Sequence, residues 1–181
     1  MIDPASTSVP AWARMAGEGG PLPYGGSSHI VVGVGSGQAV ARRWALQLPE
    51  VTMVSSEEID DATARLTEHL STARVGVRIL LTGAIGACLQ LRAAALAAGA
   101  EDDEIHIQAT ESGPIDIHCA HCAASTPTTT GIDSLVVCSG CAKTLIVYHH
   151  VSRRLGKYLG FQVDAETATG ECDALVSEAR S

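Results

Sequence analysis

Apolar and polar positions along the chain fall into two regimes. From His29 to Val34 runs a short, apolar, β-branched stretch of the kind that fills a buried strand. Ala39 to Leu48 changes period, with Val40, Trp44 and Leu48 on one helical face and Pro49 as the stop. Val51 to Val54 is a second short strand. Ser55 to Glu58 then has the spacing of a capping box, ahead of a helix whose apolar face is Ile59, Ala62, Leu66 and Leu70. Gly76 ends that helix segment, Val77 to Leu81 forms a third strand, and Ile85 to Ala98 a third helix with Leu89, Ala93 and Leu96 in register and Gly99 as its stop. Glu104 to Gln108 is the fourth strand. Strands and helices in strict alternation predict a small parallel sheet with helices on both faces, over residues 29–112.

Beyond Gly113 the pattern shortens to strands alone. Ile115 to His118 and Ser134 to Val137 each lead into a cysteine pair, with a Thr/Ser-rich return from Ala123 to Asp133 between them. Thr144 to Val151 is the longest strand-like run, with Leu145, Val147 and His149 facing one way and Ile146, Tyr148 and His150 the other. This second unit is expected over 113–164. Residues 1–28, rich in proline and glycine, read as a flexible arm with Trp12, Met15 and Tyr24 as its anchors. Residues 165–181 read as a mobile acidic tail.

The chemistry lies in the cysteines. Cys119-Ala-His-Cys122 and Cys138-Ser-Gly-Cys141 are two Cys-x-x-Cys pairs fifteen residues apart, and each can aim two sulfurs at one point. Together they close a tetrahedron of thiolates, the geometry of a structural zinc ribbon. Iron in the same four sulfurs, as in a rubredoxin, is the main rival and would make the chain an electron carrier. Two disulfides would need an oxidising compartment, and a thioredoxin-like pair would leave the second Cys-x-x-Cys redundant. His118 and His121 lie beside the first pair as surface or supporting groups. Cys88 and Cys172 read as ordinary thiols. A closed four-thiolate site offers no open coordination position, so the metal is expected to be structural.

Composition narrows the setting. Apolar residues make up 46% and aromatics 3%, which allows an aliphatic, alanine-rich core. A formal charge of −8 argues against nucleic-acid or anionic-membrane binding by the whole chain. There is neither an apolar run long enough to span a bilayer nor a basic-then-apolar N-terminus, so cytoplasm is the expected location. Against that acidic background, Arg153, Arg154 and Lys157 stand in a stretch with no carboxylate, after Tyr148. These four residues are the expected partner contact, with a solvated turn as the alternative. Gly33-Val-Gly35-Ser-Gly37 after the first strand invites a nucleotide reading, but Gln38 stands where the dinucleotide fingerprint has its last glycine. No nucleophile–base arrangement is discernible.

Ala73-Arg-Val-Gly76, the strand ending at Gly83, the helix ending Ala98-Gly99, the paired cysteines and the stretch from Tyr148-His-His150 through Ser152-Arg-Arg154 to Leu159-Gly-Phe161 carry a family resemblance. Over roughly residues 73 to 166 the chain resembles the small subunit of dimethylamine monooxygenase and its relatives among the heme-dependent oxidative N-demethylases. The resemblance implies a bacterial multi-subunit complex. In it a heme-bearing subunit oxidises a methylated amine, and a reductase subunit with flavin and an iron–sulfur cluster supplies electrons from NAD(P)H. The small subunit would carry zinc and hold the hetero-oligomer together without chemistry of its own. Arg78 to Gln108 is also similar to the closing part of a ferredoxin-reductase nucleotide domain, but Thr82-Gly83-Ala84 stands where that family has Cys-Gly-Pro. The departure suggests a degenerate nucleotide domain reused as a scaffold.

Overall fold

The computed structural model describes residues 7–14, 16–17, 21–22 and 25–163. Met15, Tyr24, Cys172 and the expected acidic tail over 165–181 lie outside the described residues.

The chain is α/β. Four parallel strands, β1 (Ser28–Val34), β2 (Val51–Ser56), β3 (Val77–Ala84) and β4 (Ile105–Glu111), form one sheet in the order β2-β1-β3-β4. Three helices connect them: α1 (Gln38–Ala45), α2 (Ile59–Ser71) and α3 (Ile85–Ala97). Side chains of β1 and β3 alternate between the two faces. Val31 and Leu80 pack on Ala41, Trp44 and Leu48 of the α1 layer. Ile30, Val32, Ile79 and Leu81 pack on Ala62 and Leu66 of α2 and Leu91 and Ala95 of α3. The order reverses between β1 and β3, so a crevice opens there beyond the carboxyl ends of the strands.

Ser55 and Ser56 belong to β2, paired with Gly33 and Val34, and the expected capping box does not form. The Ser55 hydroxyl donates to Gln38 Oε1 at 2.6 Å, and α2 starts after Glu58 without a side-chain cap.

Five further strands follow: β5 (Ile115–Cys119), β6 (Ser125–Thr128), β7 (Leu135–Val137), β8 (Thr144–Ser152) and β9 (Lys157–Gln162). They form a second sheet in the order β6-β5-β9-β8-β7, antiparallel except for β5 beside β9. The basic stretch, expected as a partner contact or else a solvated turn, holds a turn over 153–156 followed by β9, a central strand. The sheet lies close against α3. A Cβ on Gly86 would sit 2.2 Å from the Pro114 carbonyl oxygen, and one on Gly156 2.5 Å from that of Leu89. Only glycine permits such approach.

A third cluster fills the space between: Ile85 and Leu89 of α3, Ala109 of β4, and Ile117, Cys119, Cys138, Leu145, Val147, Val151 and Tyr158 of the second sheet. Val9 and Ala13 complete it, only 3% and 6% exposed. Where it is described, the arm expected to be flexible is therefore packed. Thr7 donates to the His149 carbonyl at 2.5 Å, and Ser8 Oγ accepts the Val151 amide at 2.9 Å. These bonds catch backbone groups that β8 cannot offer to β9, because the ladder slips between Val147 and Val151.

Candidate metal centre

Each cysteine pair occupies the tip of a hairpin, and the two tips repeat one another. In the first, His118 pairs with Ser125; in the second, Val137 pairs with Thr144. The Cys119 amide donates to the Ala124 carbonyl at 2.9 Å, and the Ala123 amide returns to Cys119 at 2.9 Å. Likewise the Cys138 amide donates to Lys143 at 2.9 Å, and the Ala142 amide to Cys138 at 3.0 Å. The residue after each second cysteine, Ala123 or Ala142, takes a left-handed backbone that turns the chain back into its strand. The knuckles interlock. Gly140 lies against Ala124, where a Cβ would approach the alanine methyl to 2.5 Å, and the Ser139 amide donates to Thr126 Oγ1 at 3.0 Å.

Four sulfurs meet between the tips, all within 4.8 Å of one another. Cys122 and Cys138 are 3.6 Å apart and Cys119 and Cys141 3.9 Å, well beyond the ~2.05 Å of a disulfide. A tetrahedron with metal–sulfur bonds of about 2.3 Å has edges of about 3.8 Å, so the spacing fits a single tetrahedral ion. Cys119 and Cys138 are buried and Cys122 is exposed, so the site sits at the sheet's end with one face to solvent.

Electrostatics point the same way. The amides of Cys141 and Gly140 aim at the Cys138 sulfur and bring it down to about 6. The Ala124 amide favours the Cys122 thiolate too, but desolvation and three neighbouring sulfurs outweigh it and push that thiol up to about 12. Sulfurs this close cannot all ionise without a cation among them. Among the described residues, these cysteines are the group that converges as metal ligands. Cys88 is apart, its thiol pushed up to about 12 by burial, which makes it inert.

A family model described as the C-terminal domain of DmmA-like dimethylamine monooxygenase subunits matches residues 116–161, a span that holds both knuckles. The heme-dependent oxidative N-demethylase delta subunit of Ectopseudomonas mendocina (strain ymp) is 34% identical over 145 residues, covering 77% of this chain and 82% of that one. This chain belongs to that N-demethylase subunit family. No solved structure matches it.

Arg153 is exposed but bound within the chain, to Asp102, which Arg92 also holds at 2.6 Å. Lys157 donates to Ser125 Oγ at 2.8 Å and lies 3.7 Å from Asp116. Arg154 is exposed with no ion pair among the described residues, and lines a groove with Arg153 over Ala93, Leu96 and Ala97 of α3. Tyr148 is half-buried, its ring 5.3 Å from Phe161. Three of these positions were legible as charge. The Asp102 bridge was not, because it joins residues fifty apart.

The crevice at the end of the parallel sheet, about 500 Å³, is bordered by Glu57, Glu58, Asp60, Glu111 and Asp116. Gly33 and Gly37 of the glycine loop are explained by packing: a Cβ would meet Ala41 at 2.6 Å or the Thr82 carbonyl oxygen at 2.2 Å. Ser36 donates to Glu111 at 2.8 Å, and Gln38 reaches Glu57. A rim of carboxylates repels a pyrophosphate.

Proposed function

We propose that this chain is a non-catalytic structural subunit of a heme-dependent monooxygenase that demethylates dimethylamine-type amines. The observation that carries the reading is the cluster of four sulfurs on interlocked hairpins, which no histidine or carboxylate joins among the described residues. Zinc is the ion proposed for Cys119, Cys122, Cys138 and Cys141; bound there it supplies cross-linking of the two hairpins and no reaction. Heme belongs to the catalytic partner, and flavin, the iron–sulfur cluster and NAD(P)H to the reductase partner. The five-stranded sheet is then a zinc ribbon that docks on both, in the cytoplasm where reduced nicotinamide is made. Among the described residues no helix is long and apolar enough to cross a membrane.

The parallel sheet is read as a ferredoxin-reductase-like nucleotide domain that has lost its ligand. Its support is the carboxylate rim where phosphates would lie. Calorimetric titration with NADH is expected to give no heat.

Metal analysis with a visible spectrum, on protein purified without added metal, tests the central claim. One zinc per chain and no visible band is the expected result. One iron per chain with a red, bleachable band would replace the structural subunit by an electron carrier.

A further inference from the structure

The four sulfurs of the cluster are not equally placed. Cys119 and Cys138 are 0% and 2% exposed, Cys141 is half-buried and Cys122 is exposed. Cys122 sits in a run, Ala120 to Ala123, that is exposed throughout, and on the other hairpin Ser139 and Gly140 are exposed as well. Apart from His121 these neighbours are small. Gly140 leaves the sulfur uncovered, since a Cβ there would lie 3.2 Å from it. A small solute can therefore reach Cys122 while Cys119 and Cys138 stay shielded.

The nearest recorded partner of that sulfur lies across the site. Cys122 Sγ is 3.6 Å from Cys138 Sγ, on the second hairpin. An accessible thiolate with a second, shielded thiolate beside it is the arrangement in which an oxidised first sulfur is resolved by the second. A bound cation keeps both sulfurs as thiolates, so both nucleophiles are present when the site is loaded. Cys88 is apart from this chemistry, buried and directed at the Gly83 carbonyl.

We propose that Cys122 is a peroxide-sensitive position of the metal site, oxidised first and then joined to Cys138 in a disulfide that releases the ion. This rests on the zinc reading given above. The oxidant is a hydroperoxide, in the simplest case hydrogen peroxide. Its O–O bond breaks as the Cys122 thiolate takes one oxygen to become a sulfenic acid, and the other oxygen leaves as water. The Cys138 thiolate then attacks the Cys122 sulfur. The S–S bond forms, the S–O bond breaks, and the second oxygen leaves as water. Two thiolates lose two electrons, the peroxide gains them, and two protons from solvent complete the waters. Cys119 and Cys141 are left as two ligands for an ion that needs four. The new bond spans the same two hairpins that the ion joins.

The test uses the full chain, purified with its metal and analysed for metal content before oxidation. Hydrogen peroxide is added beside a chromogenic zinc chelator, with and without dimedone, which traps sulfenic acids. Peptide mass spectrometry then locates each modified cysteine. The expected result is loss of the bound zinc together with gain of one disulfide between Cys122 and Cys138. Dimedone should mark Cys122, and dithiothreitol should restore zinc binding. Zinc retained under peroxide would overturn the inference and leave the structural site intact. First oxidation at Cys141, or a disulfide within either knuckle, would do the same. Iron in place of zinc at the outset, or no metal at all, would overturn the zinc reading and this inference with it.

Discussion

Ala123 and Ala142 share a backbone conformation that alanine seldom adopts, with φ of 62° and 57°, at the same position in the two knuckles. A left-handed alanine costs roughly 1–2 kcal/mol, and glycine there would escape most of it at the expense of a more flexible unfolded chain. Ala123→Gly and Ala142→Gly are each expected to stabilise the metal-loaded protein by a net ~0.5 kcal/mol. Denaturant midpoints read this directly. A loss of stability in both variants would mean that the methyl groups carry packing that outweighs the strain.

Gly156 and Gly86 hold the second sheet against α3, and neither has space for a side chain. Gly156 also has φ of 64°, so alanine there meets a carbonyl and a disfavoured backbone at once. Gly156→Ala and Gly86→Ala are expected to cost more than about 2 kcal/mol each, the class of loss seen when a close contact is forced apart. Gly131 is the control: a Cβ there meets nothing within 4 Å and no positive φ is required, so Gly131→Ala should change stability by less than about 0.5 kcal/mol.

Metal removal should be felt unevenly. Trp12 packs against the cluster that contains Cys119 and Cys138, whereas Trp44 belongs to the cluster between α1 and the parallel sheet. Stripping the ion with a chelator is expected to red-shift Trp12 fluorescence in a Trp44→Phe variant and lower its melting temperature. A Trp12→Phe variant should show little spectral change. Equal shifts from both would mean the parallel sheet depends on the metal as well.

His106 sets an acid limit. Its imidazole packs edge-on against Trp44 with ring centres 5.6 Å apart, its Nε2 has no partner among the described residues, and burial holds its pKa below the usual 6.5. A histidine kept neutral by folding contributes stability above its unfolded pKa, lost as pH falls from there toward the folded value. Stability should therefore decline below about pH 6.5, and His106→Phe should remove part of that decline. Denaturant midpoints between pH 7.5 and 5.5 measure it; parallel curves for the two proteins would exclude His106 as the cause.

Much of this architecture was legible because its signals are local. The switch from a period of 3.6 in Ile59, Ala62, Leu66 and Leu70 to the short apolar run of Val77 to Leu81 is written within a few residues. The cysteine spacing likewise names its own geometry. What stayed hidden depends on distant partners. β9 lies between β5 and β8, and its pairing with β5 joins Ile117 to Tyr158 across forty residues. Val9 has no periodicity to announce that it is buried. Ser55 was misread because its hydroxyl is taken by Gln38, seventeen residues back, before it can cap a helix. The basic stretch looked free for a partner because Asp102, which holds Arg153, lies on another element.

Val9 and Ala13 share one buried cluster with Tyr158, Cys119 and Cys138. Loosening either cysteine hairpin would therefore be felt far back along the chain, where these two residues would lose the surface that covers them.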